Sequence, residues 1–96
     1  MKAQDYINQY LPQINEATDE AQLKDICSSV FLAFLDDTAE LVKSRNAVED
    51  EAIISVLNEE GDKWSKFCRI MNQQQEVVKF NEDMFLDYWR ERLDLE

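Results

Sequence analysis

Ninety-six residues are enough for one domain with one core, and a content of 45% hydrophobic and 10% aromatic residues is too apolar for a disordered chain. One glycine and one proline leave little turn chemistry for a sheet-rich fold, so long helices with short links are favoured. Ten Lys and Arg against 21 Asp and Glu set the formal net charge at −11, which repels nucleic acid and anionic lipid and favours a partner with a basic surface.

The first segment, residues 3–16, places Tyr6, Ile7, Tyr10, Leu11 and Ile14 at helical spacing. Pro12 sits inside that pattern and is expected to end or kink the helix near Leu11. The second segment has the clearest period: Leu23, Ile26, Cys27, Val30, Phe31, Phe34, Leu35, Thr38, Leu41 and Val42 recur at helical spacing. Asp19 followed by Gln22 resembles a capping box, so this helix is expected over about 19–45. Leu32 widens its apolar arc, which implies a helix covered on more than one side or one that meets a second copy in a homodimer.

Asn46 and Glu49 read as the next capping box, which makes the link very short and the second and third helices an antiparallel hairpin. The third helix carries Ile53, Leu57, Trp64, Phe67, Cys68 and Met71 on one face. Gly61 lies inside that pattern and marks a bend or a close helix–helix contact. Counted outward from a turn centred on Asn46, Cys27 and Cys68 should come near each other inside the bundle as free thiols, and Gly61 should face Phe31. Asn72 to Gln75 is a polar stop, and Glu76 to Lys79 fits no single period. Phe80 and Phe85 flank Asn81 as a hydrophobic staple around an N-cap. A fourth helix then presents Met84, Phe85, Tyr88, Trp89 and Leu93 on one side. The expected fold is all-α: an antiparallel helical bundle of three long helices plus a short or kinked N-terminal helix, forming a single acidic domain over residues 1–96.

The residue inventory removes most catalytic chemistry. Without histidine there is no His-dependent triad and no His-bearing zinc or di-iron site. Two isolated cysteines make no zinc knuckle, and no glycine-rich phosphate loop is present. Met1-Lys2-Ala3-Gln4-Asp5 opens without an apolar signal core, and the apolar stretch from Ile26 to Leu35 is too short for a bilayer. Reduced core thiols fit a cytoplasmic protein, and no cofactor and no membrane contact are expected.

One carboxylate pattern remains. Asp36-Asp37-Thr38-Ala39-Glu40 lies in the second helix and Glu59-Glu60-Gly61-Asp62 in the third. This pair resembles the motif of the MazG-type all-α nucleotide pyrophosphohydrolases. The resemblance implies Mg2+ held by Asp37, Glu40, Glu59 and Asp62, and release of pyrophosphate from a nucleoside triphosphate. Oxygen-only ligands suit that ion. Against it, Glu59–Lys63 and Asp62–Lys66 are i,i+4 pairs in the orientation that favours solvated salt bridges.

The reading favoured by charge and size is a non-enzymatic acidic module that binds another protein. It would inhibit or regulate a basic or nucleic-acid-binding protein, in the style of phage anti-defence and toxin-immunity proteins. Rows of carboxylates can mimic the phosphates of nucleic acid. Glu49, Asp50 and Glu51 open the third helix, where the helix dipole stabilises acids. Asp36, Asp37 and Glu40 sit mid-helix without that support, and only Lys43 is placed to relieve Glu40. These six acids, with Tyr88 and Trp89 as aromatic anchors, are the candidate partner-binding residues. With no basic surface to offset the charge, the protein is expected to pass unretained through a nucleic-acid column at physiological salt; salt-sensitive retention there contradicts the reading.

Overall fold

Four helices follow one another along residues 2–93, the part of the chain that the computed structural model describes. They are α1 (Ala3–Glu16), α2 (Glu20–Ser44), α3 (Asp50–Gln74) and α4 (Met84–Leu93), and no strand occurs among the described residues. The all-α bundle is the one read from the sequence, but its shortest member is α4 at 10 residues rather than the N-terminal helix at 14, against 25 each for α2 and α3. No helix among the described residues is long and apolar enough to cross a membrane.

Pro12 does not end α1, which runs 14 residues through it to Glu16. The proline removes the one amide that would reach the carbonyl of Asn8, and both residues are exposed, so water can serve that oxygen. Burial of Tyr6, Ile7 and Tyr10 before it and Ile14 after it holds the helix on the bundle from both sides.

Helix α2 starts as expected: the Asp19 carboxylate accepts from the Gln22 amide at 2.8 Å. Its end differs. Asn46 takes a left-handed backbone (φ 51°), and the amides of Asn46 and Ala47 donate to the carbonyls of Lys43 (3.2 Å) and Val42 (2.9 Å). Asn46 therefore closes α2 rather than capping α3, a role in which asparagine is the common substitute for glycine. Glu49 takes the N-cap position of α3 without a side-chain capping bond. The turn centre moves toward α3, and Phe31 meets Trp64, ring centroids 5.5 Å apart, instead of Gly61.

The core joins α1, α2 and α3 through rings. Phe34 stacks on Tyr6 at 3.9 Å and meets the edges of Trp64 at 4.9 Å and Phe67 at 5.3 Å. All four residues are fully buried. Burying each ring contributes about 1.5–3 kcal/mol, and each aromatic pair about 0.5–1.5 kcal/mol more.

Residues 75–83 are not helical apart from a turn, so their backbone groups need other partners. Side chains of α3 and of its C-cap residue Gln75 provide several of them. The Asn72 amide donates to the Phe80 carbonyl (2.9 Å) and accepts from the Phe80 amide (2.8 Å), as a neighbouring strand would. Buried Gln75 does the same at Val78. Trp64 Nε1 donates to the Asn81 carbonyl at 2.9 Å, and Ser65 and Arg69 both donate to Glu82. This strap delivers α4 to the hairpin, where Tyr88 sits edge-on to Phe31 at 5.7 Å.

Gly61 lies under α4. A Cβ there would stand 3.0 Å from Leu86 Cδ2, so the missing side chain makes room for α4 and not for Phe31. Gly61→Leu is expected to overpack the α3–α4 contact and cost about 1–3 kcal/mol in urea denaturation. Gly61→Ala needs only a small shift of the half-buried Leu86 side chain, which offsets a helix gain of roughly 1 kcal/mol, so its midpoint should stay close to the parent's.

Candidate functional site

The middle of α2 alternates buried and open positions. Phe34, Leu35 and Thr38 face inward, and the Thr38 hydroxyl is satisfied by the Phe34 carbonyl at 2.8 Å. Asp36 and Glu40 are exposed one turn apart, and Asp37 is half-buried beside them. The Asp37 carboxylate accepts from the Tyr6 hydroxyl, so the α1 ring that packs on Phe34 also orients this acid.

From α3, Glu60 enters the same region although it is only 3% exposed. Lys63 Nζ lies 2.7 Å from Glu60 Oε2 and 5.9 Å from the centroid of the Tyr6 ring. Glu60 Oε1 is buried without a hydrogen-bond partner. Asp37, Glu40, Leu41, Ser44, Glu60 and Lys63 together line a solvent-open pocket of about 250 Å3. Taking a carboxylate out of water is expensive unless its oxygens are paired, and a single ammonium leaves that demand partly unmet.

The four carboxylates of the pyrophosphohydrolase pattern do not share this pocket. Asp37 and Glu40 line it. Glu59 pairs with Arg45 at the end of α2, and Asp62 lines a different cleft of about 800 Å3 with Gly61, Ser65, Asn81, Glu82 and Leu86. Among the described residues no three acidic or thiol side chains form a group that could hold a metal ion. Lys63 turns inward to Glu60 rather than to Glu59, and no salt bridge joins Asp62 to Lys66 or Glu40 to Lys43 among the described residues.

Glu49, Asp50 and Glu51 are exposed at the N-terminus of α3, as their dipole role requires. Tyr88 and Trp89 are half-buried and pack edge-on at 5.4 Å, with the Arg92 guanidinium 5.8 Å over the Tyr88 ring. The indole nitrogen of Trp89 is buried without a partner. The residue missed from the sequence is Glu60. It stands three positions after Leu57 and four before Trp64, on the apolar stripe itself, with Lys63 one turn on; that placement was its available signal.

The thiols differ in setting. Both are free, but Cys68 is fully buried whereas Cys27 is only half-buried, beside a shallow pocket lined by Lys24, Ser28, Phe31, Leu32 and Met84. Burial raises both thiol pKa values, and the negative Glu82 adds to the effect at Cys68, which is pushed up to about 12. Hydrogen bonds from Ser65 and Arg69 hold Glu82 itself below its ordinary value.

No family model matches this chain, and no curated protein or solved structure is similar enough to count as a match.

Alkylation of the native protein near neutral pH should modify Cys27 first and Cys68 only as fast as the fold opens; equal rates contradict the burial difference. A thiol whose pKa is raised by folding ionises first in the unfolded chain, so stability should fall as pH climbs from about 9 toward 12, and Cys68→Ala should flatten that slope.

Proposed function

We propose that this protein is a non-enzymatic acidic module that binds another protein through a basic surface on that partner. As an inhibitor or regulator it would occupy a groove that otherwise takes nucleic acid, and it would work in the cytoplasm, where free thiols stay reduced. The observation behind this reading is the ridge of Asp36, Asp37 and Glu40 in the middle of α2. None of the three forms a salt bridge among the described residues. Aspartate is a poor helix former, and Asp36 and Glu40 repel each other at i,i+4. The ridge thus opposes the stability of its own helix, and its charge is complementary to a cationic surface. The scatter of Glu59 and Asp62 away from the ridge favours binding over Mg2+-dependent hydrolysis.

A second reading is self-association through α2. It is supported by Leu32 and Met84, which are 56% and 45% exposed and line the pocket beside Cys27. A molecular mass that rises with concentration would support it.

On an immobilised arginine-rich peptide the protein should be retained at low ionic strength and released as salt rises. Asp36→Asn, Asp37→Asn and Glu40→Gln combined should elute at clearly lower salt. Removing as many charges at Glu16, Asp25 and Glu76 should shift elution much less. Equal shifts for the two triple variants contradict a role for the ridge.

A further inference from the structure

We propose that the pocket between α2 and α3 receives a single arginine side chain of the basic partner, an inference that rests on the acidic-module reading above. Glu60 is the central observation. It is 3% exposed and lines the pocket, one oxygen is held by Lys63, and the other has no donor. A carboxylate offers about four acceptor positions, so one ammonium contact leaves it unsatisfied. Asp37 and Glu40 add two further negative charges to the lining against the one positive charge of Lys63, which leaves the pocket a net acceptor of cations. The Tyr6 hydroxyl already fixes the orientation of Asp37.

Size and geometry select the kind of cation. About 250 Å3 lies below the range of roughly 300–1,000 Å3 for small-molecule sites and suits one side chain. The carboxylates do not close into a group that could hold a metal ion, and a cation that reaches several of them at once has to be larger than a single ion. A guanidinium spreads five N–H donors over a rigid plane and can address separate carboxylates at once, whereas an ammonium is a point charge. Leu41 offers an apolar wall to the methylene stem. The Ser44 hydroxyl donates to the Leu41 carbonyl at 3.3 Å, which leaves its oxygen free to accept.

The test titrates the isotope-labelled full chain with blocked arginine, blocked lysine and spermidine, followed by amide chemical shifts. Saturable shifts confined to the neighbourhood of Asp37, Glu40, Ser44, Glu60 and Lys63, with blocked arginine binding roughly tenfold tighter than blocked lysine, support the proposal. Glu60→Gln should weaken arginine binding roughly tenfold; Glu40→Gln, at the exposed rim and outside the core, should weaken it less but measurably. Arginine binding unchanged in both variants overturns the assignment, as do shifts that never saturate or spermidine binding as tightly as arginine. Salt-sensitive retention on the arginine-rich peptide without saturable shifts removes the pocket and leaves the broader reading standing. Saturable arginine binding without such retention keeps the pocket and removes the broader reading.

Discussion

Phe34 is where three helices meet. One face of its ring carries Tyr6 from α1, and it makes edge contacts with Trp64 and Phe67 from α3. Tyr6 then does two further things from one buried position. Its hydroxyl reaches the Asp37 carboxylate, and its ring lies under the Lys63 ammonium. The groups that frame the acidic pocket are therefore placed by core packing rather than by loops. Such a site is as rigid as the bundle that holds it, because close-packed rings have few alternative arrangements.

Polar groups elsewhere are largely accounted for. The segment between α3 and α4 lacks regular structure, yet Asn72, Gln75 and Trp64 bond the backbone of Phe80, Val78 and Asn81 within it. Among the described residues only Glu60 Oε1 and Trp89 Nε1 are buried side-chain atoms without a partner. A structure that satisfies its polar atoms this thoroughly makes each exception informative. At Glu60 the exception coincides with two more carboxylates and an open pocket, whereas at Trp89 it is an isolated indole nitrogen.

Much of the fold was legible because local signals coincided. Asp19 and the unbroken apolar period of α2 place that helix within a residue at each end. Asn46 misled because asparagine serves both as an N-cap and as a left-handed helix terminator, and short-range sequence does not separate the two. That ambiguity moved the turn centre, and with it the residue expected opposite Gly61. Asn72 and Gln75 looked like a simple polar stop because their partners depend on a chain path no spacing rule encodes. In the site, Asp36, Asp37 and Glu40 stood out as charges with no local reason to be there. Glu60 did not, because acid-rich helices hide one inward-facing carboxylate among several outward ones. Its partner Lys63 also lies over the Tyr6 ring of α1, a neighbour that the spacing within α3 does not encode.

The ridge on α2 also makes dissolved ions a component of the molecule's energetics. Asp36 and Glu40 push against each other across one helical turn, within a chain of formal net charge −11. Counter-ions that shorten the Debye length to about 10 Å at 0.1 M weaken that self-repulsion and ease the compact state. The same screening shortens the reach of the ridge toward any distant cation. Thermal robustness and long-range attraction thus respond to electrolyte with opposite signs, and a dilute, low-salt compartment holds this fold at its most strained and its field at its longest range.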